Sequence, residues 1–252
     1  AHSAVLCGAD IVLELPFPWC SSGVEDFALG GVYIAASLGA DTLTFGSESG
    51  NAEMIKTCAD IKQSEEFIKV LRELESRERQ TGSAVLYSRA MAEFGIDSTL
   101  GANDKLGTEY MICGRKYGIG GYNVVRRDMS CKSAGEIRGL MFGGYDGAMD
   151  FIPDEARAVF ENARFCGEER YNDILFGYAR LMRKTCSPEL TYAKNTAENA
   201  SSAEEFIKNL PQKKLTLARM RRELLFSLMG VERMNKKSPP SFTVLLAANE
   251  RG

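Results

Sequence analysis

At 252 residues, 44% hydrophobic and 26% charged, the chain has a globular composition and the length for one large domain or two smaller ones. Its formal charge is only −3 and no run of eighteen apolar residues occurs, so no membrane span and no membrane partner are expected. Seven cysteines form no C-x-x-C pair, which argues against a disulfide framework or a zinc site and for reduced thiols in a cytoplasmic protein.

In chain order, "AHSAVLCGAD" reads as the end of a helix. The stretch up to Cys20 is no signal peptide, because it lacks a basic start and carries Asp10 and Glu14 among apolar residues. "ADIVLELPF", bounded by Gly8 and Pro16, predicts a buried strand. Phe27, Gly31, Ile34, Ala35 and Leu38 then share one helical face, with Ser22 a candidate cap and Gly39 a candidate stop. "DTLTFGSE" predicts a second strand. Strand, helix and strand at this spacing predict a βαβ unit in a parallel sheet.

Four apolar stripes of helical period follow, in "NAEMIKTCADIKQ", "SEEFIKVLRELESRERQ", "SAVLYSRAMAEFG" and "NDKLGTEYMICGRKYG". "GGYNVVRRDMS" predicts a further strand and "SAGEIRGLMFGG" a helix. Beyond Tyr145 the pattern is helical, in "DEARAVFENARF", "EERYNDILFGYARLMRK", "SSAEEFIKNL" and "LTLARMRRELLFSLMG", until the strand-like "SFTVLLAAN". Gly and Pro cluster in "GGYDGAMDFIP", which places a domain boundary there: an α/β part over 1–145 and a mainly helical part over 146–252.

The single histidine is His2, so histidine-based catalysis and metal binding are set aside and no metal site is expected. Chemistry falls to Arg, Lys, Asn, Asp, Glu, Ser and backbone groups. Three polar clusters lie at strand ends or helix starts, where ligands of open α/β sheets bind. "FGSESG" follows the second strand; Gly46 and Gly50 serve either a turn or an open backbone for an anion, and Glu48 reads as a surface residue. Asn103 and Asp104 are either ordinary helix caps or ligand contacts. Ser133 with Glu136 is a capping box, or else Ser133 faces a phosphate flanked by Arg127, Lys132 and Arg138.

A fourth cluster, residues 211–237, carries eight basic residues (Lys213, Lys214, Arg219, Arg221, Arg222, Arg233, Lys236 and Lys237) against Glu223 and Glu232, a local balance of +6. Leu217, Met220, Leu224 and Leu228 form its apolar stripe, which leaves Arg219, Arg221 and Arg222 on solvent-exposed faces. That is either a solvated amphipathic helix or a nucleic-acid surface.

Taken together, "GADIVLELPFPW", "VEDFALGGVYIAASLGADTLTFGSESG", "GANDKLGTEYM", "NVVRRD", "SAGEIR", "KKLTLARMRRELLFSLMGV" and "VLLAANERG" resemble, in order, the bacterial tRNA(Met) cytidine acetate ligases of the nucleotidyltransferase superfamily. The resemblance implies a Rossmann-like nucleotide-binding domain followed by a helical tRNA-binding domain. It implies an ATP-dependent ligase, with Mg2+, that activates acetate as acetyl-adenylate and acetylates the wobble cytidine of elongator tRNA(Met). Carried over position by position, the ATP contacts are Gly46, Asn103 and Arg127; on the phosphate reading of their cluster Ser133 and Arg138 join them. On the nucleic-acid reading of the basic cluster, Lys213, Lys214, Arg219, Arg221 and Arg222 are the expected tRNA contacts. The family's His-x-Gly-His loop is absent from the chain, whose start corresponds to a position downstream of it. Catalytic residues are therefore not assigned, and this stretch alone is expected to be inactive. The alternative is an inactive nucleotide- or RNA-binding relative. A third reading, a structural helical module, takes the basic stretch as a solvated face. The oligomeric state is not legible.

Overall fold

The structure, a computed structural model, describes residues 1–79, 81–96, 100–128, 130–143, 147–211, 215–231 and 238–252. The first half comprises α1 (His2–Leu6), β1 (Ile11–Leu13), α2 (Val24–Ser37), β2 (Thr42–Ser47), α3 (Ala52–Gln63), α4 (Glu65–Arg77), α5 (Ser83–Glu93), α6 (Ala102–Tyr117) and β3 (Gly121–Arg126). There follow α7 (Ala134–Gly143), α8 (Asp154–Glu161), α9 (Glu168–Leu181), α10 (Pro188–Asn199), α11 (Ala203–Asn209), α12 (Leu217–Leu228) and β4 (Leu245–Ala248). The chain divides into two compact units, each built from separate stretches. One holds Phe17–Arg127 and Tyr171–Pro239; the other holds Ala1–Pro16, Asp128–Arg170 and Pro240–Gly252.

In the larger unit β2 and β3 pair in parallel, from Thr42 opposite Gly121 to Ser47 opposite Arg126, with α3 to α6 as the crossover. Ala28, Leu29 and Val32 of α2 pack with Cys113 and Ile119. On its sheet side α6 sets Met111 with Phe45, Ile55 and Ala59. The helix comes close there: a Cβ on Gly107 would lie 2.5 Å from the Phe45 ring, and one on Gly114 would overlap the Tyr122 hydroxyl. Phe67, Ala90, Met91 and Cys58 knit α4 and α5 to α3. The α9–α12 bundle closes over Leu175, Leu210, Met220 and Leu224, all fully buried, each contributing about 1.5–3 kcal/mol by leaving water.

A largely buried Lys62–Glu109 pair, joined by the exposed Glu25, ties three helices of this unit. The Lys62 ammonium of α3 reaches Glu25 of α2 at 2.7 Å and Glu109 of α6 at 2.5 Å. Burial pulls the Lys62 pKa down, but the two carboxylates outweigh it and the net direction is up. Burial, the largest influence, and the nearby Glu25 charge push Glu109 up, and Lys62 offsets them only in part.

In the smaller unit β1 pairs antiparallel with β4, Ile11 opposite Ala248 and Leu13 opposite Leu245; Ala148, Ile152 and Ala156 of the same unit are buried. Asp10 holds the far end of the chain through Arg251 at 2.8 Å and Asn249 at 2.7 Å.

The α/β class and the parallel sheet are as expected, but the pairing of β1 is not. The expected βαβ unit joined β1 to β2, whereas β1 takes β4 in a separate ribbon, and Ile11 is 45% exposed rather than buried. A three-residue apolar run carries no mark of its partner, and an antiparallel neighbour from the far end of the chain satisfies its backbone equally well. The buried face of α2 is centred on Ala28, Leu29 and Val32, while Leu38 is 60% exposed; the helix is apolar nearly all round, so periodicity does not fix its inner side. Ser22 donates to the Pro18 carbonyl and Gly23 holds the α2 cap position instead. Gly39 does follow the end of α2, with φ at +82°. Helix α10 is an addition to the expected elements, although Ser187 caps it and Pro188 opens it.

Candidate functional site

Because β2 and β3 run the same way, their carboxyl ends share one edge, and the Arg127 N–H donates to the Ser47 carbonyl at 2.8 Å just beyond the paired residues. The chain then turns. Gly50 takes φ +64°, and a Cβ on it would lie 2.6 Å from the Arg126 Cβ, so the turn presses on the Arg126 stem and requires glycine twice over. Asn51 caps α3, accepting from the Met54 N–H at 3.0 Å. This accounts for the "SESG" turn as structure. Gly46 differs: it is exposed, its φ is ordinary, and a Cβ on it would meet nothing within 4 Å. Open space lies over the backbone at the strand end.

The start of α6 is bound to this turn. Ser47 and Ser49 donate their hydroxyls to the Asp104 carboxylate, the latter at 3.1 Å, and the Ser49 N–H adds a third bond at 3.3 Å. Asp104 is 2% exposed. In return, the Glu48 carboxylate accepts from the Asn103 N–H at 3.0 Å, the Asp104 N–H at 3.1 Å and the Asn103 side-chain amide at 3.0 Å. Unpaired N–H groups and the positive end of the helix dipole favour an anion there. Gly46, Asn103 and Arg127 are thus gathered at one edge of the sheet.

Ser133 and Arg138 belong to the smaller unit. Ser133 makes both bonds of a capping box with Glu136, donating its N–H at 2.7 Å and accepting the Glu136 N–H at 3.2 Å. Its hydroxyl oxygen accepts from α7, and Arg138 is exposed.

Of the basic cluster, Lys213 and Lys214, like Arg233, Lys236 and Lys237, lie outside the described residues. Arg219 is exposed and faces Glu189 at 3.5 Å. Arg221 and Arg222, expected on solvent-exposed faces, are half-buried: Arg221 donates to Asn172 at 2.8 Å and Arg222 to the Ser21 carbonyl at 3.1 Å. Each residue turns about 100° around a helix, so Arg221 flanks the Met220–Leu224 stripe, whereas Arg222 lies on the opposite face and is partly covered there by its contact with the Ser21 carbonyl. Among the described residues no three His, Cys, Asp or Glu side chains are grouped to hold a metal, and no helix is long and apolar enough to cross a membrane.

The residues that sequence reasoning passed over are Glu48, Ser47, Ser49 and Gly101. Polar groups crowding the end of an apolar strand were the available signal; their partner, 55 residues away, was not visible.

The parallel edge with a helix start folded over it is that of a nucleotidyltransferase. The model described as HIGH Nucleotidyl Transferase matches residues 1–252, and the chain belongs to that family. Among curated relatives, the tRNA(Met) cytidine acetate ligase of Lactobacillus delbrueckii subsp. bulgaricus is 26% identical over 279 residues, covering 100% of this chain and 71% of its own. The ligase of the same name from Thermotoga maritima is 27% identical, covering 100% and 70%. In solved structures, Thermotoga maritima TmcAL bound with alpha-thio ATP matches with a TM-score of 0.85 at 22% identity, over 100% of this chain and 68% of that one. The apo form gives 0.86 at 24% identity over 100% and 69%. The family resemblance read from the motifs is borne out, and the structural matches share the fold.

Proposed function

We propose that the chain is an ATP-dependent ligase of the cytoplasm that activates acetate as acetyl-adenylate and acetylates the wobble cytidine of elongator tRNA(Met). The observation that carries this reading is the gathering of Gly46, Asn103 and Arg127 at the carboxyl edge of β2 and β3, the edge at which such sheets bind ligands. The relatives' names supply the acid and the RNA. ATP provides the adenylyl group: an acetate oxygen displaces pyrophosphate from the α-phosphorus, and the cytidine amine then takes the acetyl group as AMP leaves and a proton is lost.

In this reading Gly46 lets the nucleotide approach bare backbone, Asn103 offers both a donor and an acceptor, and the Arg127 guanidinium forks onto phosphate. Ser133 serves its helix. Mg2+ accompanies ATP, carried mainly on phosphate oxygens as that ion usually is. Residues 146–252 bind tRNA through Lys213, Lys214, Arg219, Arg221 and Arg222, with Arg219 the most accessible of the described ones. The seven cysteines are free thiols, in keeping with a reducing compartment.

Acetate-dependent exchange of labelled pyrophosphate into ATP tests the first half of the reaction. A protein that carries this stretch together with the family's His-x-Gly-His loop is expected to catalyse it and its Arg127→Ala variant to lose it; no exchange in that unmodified protein would refute adenylation. For the second half, removing one cation that neutralises a tRNA phosphate should lower the salt slope of binding by about 1. The Arg219→Ala slope should fall by that amount; an unchanged affinity and slope would remove α12 from the RNA surface.

A further inference from the structure

We infer that Glu48 is a positioning residue that sets the orientation of the Asn103 amide, so that its carbonyl oxygen faces the nucleotide as a hydrogen-bond acceptor; this rests on the ligase reading of the site. A helix cap needs only backbone donors, and Glu48 takes those of Asn103 and Asp104 at 3.0 and 3.1 Å. It also holds the Asn103 side chain at 3.0 Å, which capping does not require. An ionised carboxylate can only accept, so the edge of the amide turned to Glu48 must be its NH2 and the edge turned away carries Oδ1. Among the described residues no group donates to that oxygen.

Gly101 completes the arrangement. It occupies the α6 cap position without a side chain of its own, and a Cβ there would overlap the Glu48 carboxylate. The bare position admits a carboxylate from the β2–α3 turn. Asp104, held by Ser47 and Ser49 on the same turn, keeps that turn against the helix, so the Glu48 reach is fixed from both sides.

The acceptor presented by Asn103 selects a ligand donor, and ATP offers two kinds: the adenine 6-amine and the ribose hydroxyls. Isothermal titration of ATP, inosine triphosphate, 2′-deoxy-ATP and 3′-deoxy-ATP against the protein, Glu48→Ala and Gly101→Ala distinguishes them. The unmodified protein should bind one donor-lacking analogue roughly five- to tenfold more weakly than ATP, the worth of one hydrogen bond. The inosine arm identifies the base amine and the deoxy arms identify a hydroxyl. Both variants should bring that ratio close to one, by weakening ATP while leaving the analogue within about twofold. Gly101→Ala displaces the carboxylate without removing it, and so serves if Glu48→Ala does not fold.

If the variants lose affinity for all four ligands equally, the ratio survives and Glu48 is a helix cap only. If the unmodified protein binds ATP without discriminating against any analogue, the acceptor role of Asn103 fails. No ATP binding at all overturns the ligase reading, and the inference falls with it.

Discussion

Helices α6 and α7 begin in opposite ways. The first turn of α7 is closed by Ser133 and Glu136, three residues apart, which bond each other's N–H groups. The first turn of α6 has a bare glycine at its cap position and borrows a carboxylate from Glu48, 55 residues earlier. A self-contained start satisfies its own donors and constrains nothing else. A borrowed start makes two distant stretches form together, so the turn after β2 and the head of α6 hold one geometry or neither. That is the kind of rigidity a binding edge needs.

The largest effect should come from the Lys62–Glu109 pair, the most buried ion pair among the described residues. Lys62→Met leaves Glu109 buried without its cation, and urea unfolding should show a loss of about 3–5 kcal/mol; replacing Glu109 with Leu as well should recover much of it. The sign with pH follows from the raised Lys62 pKa. Its contribution is present below the ordinary value of 10.5 and disappears as pH rises through the higher folded-state value. The unmodified protein should therefore lose stability on the alkaline side more steeply than Lys62→Met does.

Next comes the borrowed cap. Glu48→Ala should cost about 2 kcal/mol, and amide exchange should quicken both in the first turn of α6 and in the Ser47–Asn51 turn. Quickening in α6 alone would show that the two stretches are not coupled. The local cap should matter less: Ser133→Ala should cost about 1 kcal/mol or below, with faster exchange confined to the start of α7. The smallest test involves no mutation. Burial pushes the Cys113 thiol up to about 11 and raises Cys58 too, so in the folded protein a thiol reagent should modify Cys7, Cys20, Cys131, Cys166 and Cys186 and spare these two.

The same contrast explains what is legible in the sequence. Ser133 and Glu136 lie within one turn, so their pairing can be read directly; so can the stripe of Met220 and Leu224 and the stop at Gly39. The strand ends carrying Gly46 and Arg127 are legible because apolar runs stop there. The role of Glu48 is not, because a lone acid in a turn looks the same whether it faces water or a helix end. The partner of β1 is hidden for the same reason, lying at Leu245–Ala248. Helix α10 escapes notice because its inner side is built largely from Ala193 and Ala197, whose small side chains give a weak apolar signal. Arg221 and Arg222 mislead because charge alone does not say that a guanidinium will find Asn172 or a Ser21 carbonyl beside the core.

Gly107 and Gly114 stand seven residues apart, about two helical turns, and each is a notch into which an aromatic side chain of the sheet, Phe45 or Tyr122, fits. Two teeth in two notches make α6 a locked rack. Sliding it along the strands by even one residue would drive a side chain into a ring, so the helix cannot act as a piston. Held by the rack along its shaft and by Glu48 at its head, α6 is expected to stay fixed as ligands come and go, and any adjustment to fall outside it and the turn bound to it.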